Sequence, residues 1–443
     1  YAGRCGRLTS DGHVGRRGVD GRAQAQRRGS EGTEARSRRA KKDRLKPGVG
    51  SPARDHDLAI DRRLRRSFAL VWLVFSAFLP FFVLWLSDRG LSPSQVGVVL
   101  AAAALAAVIA APFWSHVADR RAGTVRTLQV AFVSAGVLAI ALDLTGSVLW
   151  AIAAAAAALA AAQAPQTPLT DALAVSILGP RLNEYGSFRL WASVGWGVGA
   201  IVFGVLFQRV GLGPMLPLYA VGVVVSAWYV GRFHTRRPVP QHPALAFGSF
   251  GDALTHVARL PLYLLGVFVL GASTHAAWDF VPLRIAAGGK GPLLVGIAAG
   301  ASAFIEIPFM RSSGSLLDRF GPRRVFVAGA SVYAAASFAW AFVTSPLAVS
   351  AIRVGIGVGF GLTYVTLVVI TGTLVPERLT NTGQTLQQIC SQGLAPIAGG
   401  LVGGFVYEHI GARQLFLGSA AGIVAGIAIV WTSTATLAGP ATE

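Results

Sequence analysis

The sequence predicts an all-α polytopic membrane protein with twelve transmembrane helices in two six-helix halves. Three observations carry this reading. The chain of 443 residues is 53% hydrophobic and only 13% charged, about half the charge of an ordinary soluble domain. Its apolar residues fall into runs of about 20, the length that crosses a bilayer as a helix. A charged turn recurs at half-chain spacing: Asp119-Arg120-Arg121 and Asp318-Arg319-Phe320-Gly321 both follow long apolar stretches, 199 positions apart. Such a repeat is the mark of a duplicated membrane bundle.

Charge is placed unevenly. Residues 1–66 hold 19 of the 39 Lys and Arg and 8 of the 20 Asp and Glu. This Arg-, Gly- and Ser-rich segment has no apolar periodicity and predicts a disordered basic tail, with Arg62, Arg63, Arg65 and Arg66 anchoring the first span. Apolar runs then place spans near 67–87, 95–115, 126–144, 148–172, 188–208, 214–232, 260–282, 292–311, 324–344, 347–374, 384–406 and 414–434. The Pro-containing stretch 233–259 divides them into an N-terminal half, 67–232, and a C-terminal half, 260–434, with a short tail at 435–443. The loops joining spans two to three, four to five, six to seven, eight to nine and ten to eleven carry the excess of Arg. By the positive-inside rule these loops, and both termini, are cytoplasmic. The two cysteines, Cys5 and Cys390, imply neither a disulfide framework nor a metal site.

Charges within the spans are the candidate functional residues. Each costs roughly 2.5–3.5 kcal/mol at the centre of a lipid-facing helix. Asp171, Arg189, Asp279, Glu306 and Arg353 are therefore expected to face a shared aqueous cavity or one another. Asp171 and Arg189 come from adjacent spans, as a substrate contact, a gating pair or a packing salt bridge. Pro165-Gln166-Thr167-Pro168 breaks span four just before Asp171, and irregular backbone at membrane depth belongs where it lines a cavity or protein. A carboxyl group that alternates between an apolar setting and a nearby Arg can take up and release a proton. Glu306, beside Pro308, is the first candidate for that role, with Asp279 second and Arg353 as the partner charge; His275, one helical turn before Asp279, reads as a cavity wall. Gln384, Gln387, Gln388 and Gln392 cluster in span eleven and require partners, either substrate or neighbouring helices. Phe75, Phe78, Phe82 and Trp85 share a face of span one, read as packing in preference to substrate stacking.

Six plus six spans, the central loop and the charged turn after spans two and eight resemble the major facilitator superfamily. Its turn reads roughly Gly-x-Leu-x-Asp-Arg-x-Gly-x-Arg. Gly314, Leu316, Asp318, Arg319, Gly321 and Arg323 match it; Ser115, Val117, Asp119, Arg120 and Ala122 form a degraded N-terminal copy. The resemblance implies that these turns latch one of two access states. The stretch Tyr185–Trp196 is similar to span five of the subgroup containing lactose permease, the nucleoside–proton symporters and the phenylpropionate-type permeases. So are Leu79-Pro80-Phe81-Phe82, Gly90-Leu91-Ser92-Pro93 and Tyr407-Glu408-His409-Ile410-Gly411. That likeness implies substrate contacts at Asp171, Arg189 and Trp196; the four-residue glutamine spacing of span eleven separately adds Gln388 and Gln392 as candidates. It departs in span ten, where Arg353 and Ile356 replace a proton-linked His and Glu, and in span eleven, where Gln392 replaces a Lys. The proton wiring of lactose permease therefore does not transfer.

The leading expectation is a proton-coupled symporter of a small organic solute such as a sugar, nucleoside or aromatic acid, working by alternating access as a monomer in the bacterial inner membrane. The alternatives are a proton-driven exporter of the same fold, weakened because Ala395-Pro396-Ile397-Ala398-Gly399-Gly400 lies in span eleven and not in span five, and a non-transporting sensor or scaffold. No phosphate loop, metal cluster or nucleophile with a positioned base is visible in the sequence. An enzyme, a cofactor and a nucleic-acid partner are therefore not expected.

Overall fold

A computed structural model describes residues 52–233, 247–287 and 291–435. The expected tail up to Ser51, Cys5 within it, residues 234–246 of the central connection, Lys290 and the stretch from 436 onward lie outside them. Among the described residues every regular element is a helix.

Eleven helices are long and apolar enough to cross a membrane: α1 (Leu58–Asp88), α2 (Pro93–Arg120), α3 (Gly123–Asp143), α4 (Leu149–Arg181), α5 (Tyr185–Val210), α7 (Leu260–Ala286), α8 (Gly291–Phe320), α9 (Pro322–Phe342), α10 (Pro346–Leu374), α11 (Glu377–His409) and α12 (Ala412–Ser433). The shorter apolar α6 (Met215–Val230) occupies the sixth expected span. Helix begins at Pro52, so residues 52–66 of the expected tail are helical. The central connection, expected as a loop, contains the helix Phe247–His256.

Several helices end later than hydropathy predicts. A helix needs only its own carbonyls to continue, whereas hydropathy stops at the first polar residue. Thus α8 runs through Arg311 and Ser312 to Phe320, and α4 continues past Asp171 to Arg181. Breaks occur where proline withholds an N–H: at Pro80 in α1, where Leu79–Phe81 tightens to a 3₁₀ turn, at Pro165 in α4, and between Trp278 and Val281 ahead of Pro282 in α7.

Both charged turns form the last helical turn of a span, and each is followed by a glycine with positive φ: Gly321 at 76° and Gly123 at 72°. Only glycine takes this backbone conformation cheaply. The counterpart of Gly321 is therefore Gly123, and the expected placement of Ala122 there is corrected. The first copy has one extra residue, and the π-helical turn Ala118–Ala122 absorbs it.

The two halves meet along two crossings built on small residues. In one, Gly97 of α2 lies against Gly400 and Gly404 of α11; in the other, Gly204 of α5 lies against Gly296 of α8. Lipid supplies no hydrophobic drive for helix association, so close backbone approach through glycine provides the packing. Both crossings lie toward the end of the bundle opposite the charged turns. Large apolar side chains such as Ile109, Val137 and Trp150 point outward and stay exposed, as a lipid-facing belt requires.

Candidate transport cavity and its gates

A cavity of about 200 Å³ sits between the halves, midway along α5, α8 and α10. Arg189, Ser193 and Trp196 reach it from α5, Glu306 from α8 and Arg353 from α10, with Trp72 of α1 and Trp278 of α7 completing the wall. Four of the residues singled out in the sequence, Arg189, Trp196, Glu306 and Arg353, therefore share one chamber.

The two arginines are held alike. The Arg189 guanidinium lies 4.6 Å from the centre of the Trp72 ring, and that of Arg353 lies 4.7 Å from the centre of the Trp278 ring. A planar cation over an aromatic face is attracted by the ring quadrupole and held flat. Trp72 in turn packs edge-on against Trp196, and Trp278 against Tyr333. The Tyr333 hydroxyl is fixed by Thr363, 2.8 Å away. Neither Trp72 nor Trp278 was singled out in the sequence. The signal was present: each stands in the first helix of its half, 206 positions apart, close to the repeat set by the charged turns.

Glu306 stands between the halves. Ser193 Oγ of α5 donates to Glu306 Oε1 at 2.9 Å, a bond that joins the two domains at cavity depth. Arg189 and Arg353 both act on this carboxyl electrostatically. Among the described residues, neither guanidinium makes a direct salt bridge with it.

Asp171 and Asp279 stand behind the arginines and not on the wall. Asp171 Oδ1 lies 3.9 Å from Arg189 Nε, a loose pair, with Tyr185 nearby. Asp279 Oδ2 lies 3.7 Å from His275 Nδ1, and the Asp279 carboxyl acts on Arg353. Gln392 and His275 line a smaller adjoining cavity of about 80 Å³, which shares Trp278 and Phe360 with the first. Gln388 is exposed. Gln384 donates to the Val368 carbonyl and Gln387 to Ser391 Oγ, so these two amides are satisfied within the half. The aromatic face of α1 is packed: Phe78 lies against Tyr219 and Phe82, and Phe82 stacks on Trp85.

The cavity opens toward the charged-turn end. On that side the Arg189 and Asp171 side chains each keep 34% of their accessible surface, and Tyr364 keeps 48%. Asp119, Arg120, Gly314, Asp318 and Arg319 are all exposed. Among the described residues, the carboxylate latch expected from Asp119 and Asp318 is not formed. Arg323 instead donates to the Trp431 carbonyl at 2.8 Å and lies over its ring, while Arg319 lies over Phe320. An unlatched charged turn fits a bundle open at that end.

The opposite end is closed by a pair of caps related by the duplication. Glu408, in the last turn of α11, accepts from Ser92 Oγ at 2.6 Å and from the Ser94 N–H at 2.8 Å, both at the start of α2. Gln208, in the last turn of α5, accepts from the Leu293 N–H at the start of α8 at 3.3 Å. Each uses an orphan N–H at a helix N-terminus, and each spans the two halves beside a glycine crossing. Glu408→Ala is expected to loosen this end: a cysteine placed at Ser302 on the cavity wall becomes reactive to an impermeant maleimide added from that side. In Glu408→Gln, which keeps an acceptor oxygen, labelling stays closer to the parent. Equal labelling of parent and Glu408→Ala would show that the cap bears no closing load.

Residues 63–418 match the model of the MFS_1 like family. The chain belongs to this family. It is 27% identical over 367 residues to the maltose permease of Geobacillus stearothermophilus, covering 79% of this chain and 89% of the relative. It is 23% identical over 394 residues to multidrug resistance protein MdtG of Yersinia enterocolitica, covering 80% and 89%. The crystal structure of the nucleoside transporter NupG superposes with a TM-score of 0.73 at 16% identity, over 86% of this chain and 99% of that one. This MFS_1 like chain is thus a multi-pass membrane transporter of the major facilitator fold, and family and fold point away from an enzyme.

Proposed function

We propose that the chain is a proton-coupled symporter, carrying a small organic solute such as a sugar, a nucleoside or an aromatic acid into a bacterial cell. Glu306 carries the proton, and Arg189, Trp196 and Arg353 contact the solute, with Asp171 steadying Arg189. The charged-turn end and both termini face the cytoplasm of the inner membrane, as the loop arginines favour. The observation that carries this reading is the position of Glu306: one carboxyl on a cavity wall framed by both halves, hydrogen-bonded across the domain boundary to Ser193. Rocking of the halves must remake that bond and change the distance to Arg189, while Arg353, in the same half as Glu306, moves with it. That ties the proton on Glu306 to the access state. Asp279, the second candidate, stands off the wall beside His275.

The test uses the full chain in sealed vesicles with an inward proton gradient and a panel of sugars, nucleosides and aromatic acids. The expected result is uphill accumulation of at least one class. Glu306→Gln loses this accumulation and keeps exchange of solute across the membrane. Accumulation that persists in Glu306→Gln refutes the assignment. Expulsion of preloaded solute under the same gradient supports the efflux reading instead.

A further inference from the structure

The cavity wall carries two guanidiniums and one carboxylate among aromatic rings. Its uncharged hydrogen-bonding side chains in contact with the space are Ser193 and Ser302, apart from the indole N–H groups. A neutral sugar would bring no negative charge to the two guanidiniums and would forgo the bidentate ion pairing that a carboxylate offers them. A single ring with one anionic head meets the opposite conditions. Its faces find Trp72, Trp196, Trp278 and Phe360, and its head finds Arg189 or Arg353. The volume of about 200 Å³ is below the range of about 300–1,000 Å³ typical of drug-sized ligands, which suits a one- or two-ring body.

The groups facing Glu306 settle how such a head would bind. Arg189 and Ser193 approach from α5, Arg353 from α10 and the Tyr333 phenol from α9. Behind them stand Asp171 with Tyr185 at Arg189, and Asp279 with His275 at Arg353. With Glu306 ionised the lining carries one net positive charge. A substrate carboxylate entering beside an ionised Glu306 would set two anions at close range on the same two cations, where like charges repel. If Glu306 takes a proton as the anion binds, the lining with its cargo again carries one net positive charge. Loaded and empty carriers then present the same charge to the membrane interior.

Resting on the symporter reading, we propose that this site selects a small aromatic monocarboxylate, and that the substrate carboxylate and Glu306 compete for Arg189 and Arg353. One proton thus enters with each anion. Glu306 acts as the resident stand-in for the substrate head. Its bond from Ser193 holds it in place while the cavity is empty.

The experiment is isothermal titration calorimetry on the purified full chain with benzoate, 4-hydroxybenzoate, nicotinate and indole-3-acetate, each against its primary amide. Buffers of different ionisation heat report the protons taken up. At least one acid is expected to bind saturably with uptake of close to one proton. Its amide binds about tenfold more weakly or worse, as the loss of a charge-assisted hydrogen bond implies. Glu306→Gln binds the acid without proton uptake, and Arg189→Gln and Arg353→Gln each lose most of the preference for acid over amide. Equal binding of acid and amide, binding without proton uptake in the parent, or binding of none of the four acids overturns the proposal. Proton-driven uptake of a sugar or nucleoside in the vesicle panel, with no acid bound, would sink this inference and leave the symporter reading standing. Failure of every solute to respond to the gradient would sink that reading itself.

Discussion

Replacing Gly97 and Gly296 together by leucine is expected to abolish uphill transport and to open the end of the bundle opposite the charged turns. A Cβ on Gly97 would run into the Gly400 carbonyl of α11, and one on Gly296 into the Ala200 carbonyl of α5. Both obstacles are backbone, which cannot rotate away. Each overpacked site costs about 1–3 kcal/mol, and the two lie in separate crossings, so their costs add. The closed arrangement at this end then loses about 2–6 kcal/mol relative to an open one. At 1.4 kcal/mol per decade that is roughly a 30-fold to 10⁴-fold shift in population. The measurement is maleimide labelling of Ser302→Cys from each side of the membrane in a background without Cys5 and Cys390. In the parent the cysteine reacts from the charged-turn side. In the double variant the reaction moves to the other side. Unchanged sidedness would show that the glycine crossings do not hold this end shut.

The helical membrane fold was legible in the sequence, with eleven of the twelve expected spans long and apolar enough to cross, because the bilayer imposes a length and a polarity on every helix, and those constraints leave a strong hydropathy signal. Helix ends were less legible. The extension of α8 through Arg311-Ser312-Ser313 to Phe320 is set by backbone continuity, which hydropathy does not report. The extra residue of the first charged turn was invisible for the same reason: whether Ala122 or Gly123 takes the positive φ depends on a π-helical turn. In the cavity, the cost of burying charge singled out Arg189, Glu306 and Arg353, which the structure places on one wall. It could not say which charges line the space and which stand behind. Asp171 and Asp279 lie beside helix breaks, at Pro165 and after Trp278, whereas Glu306 lies inside one continuous helix. Trp72 and Trp278 carry no charge and raise no alarm in an apolar span; their role emerges only when an arginine lies across each ring. Glu408 was visible only as part of a resembling stretch. That its carboxylate reaches Ser92 and Ser94, more than 300 positions earlier, is a property of the fold alone.

Arg353→Met is the substitution expected to cost most in stability. It keeps an apolar stem over Trp278 but removes the cation that Asp279 and Glu306 both face. Taking one partner from a fully buried ion pair costs about 3–5 kcal/mol, chiefly because the remaining charge is stranded. Arg353 makes no direct salt bridge to either carboxyl among the described residues, and water in the cavity tempers the cost further, so a loss of about 2 kcal/mol or less is expected. It is read as a lower Tm of the purified protein. If the loss comes from stranded carboxylates, neutralising one of them restores stability. The double variant Arg353→Met with Asp279→Asn is then expected to recover most of the lost Tm, while Asp279→Asn alone is destabilising because it leaves Arg353 short of a counter-charge. This non-additive pattern is the signature of direct coupling. If Arg353 mattered only as packing against Trp278, Met would be nearly neutral and the second substitution would rescue nothing. Recovery of Tm without recovery of transport in the double variant would separate the balance of the Arg353 charge against the resident carboxylates from the proposed contact of its guanidinium with the solute.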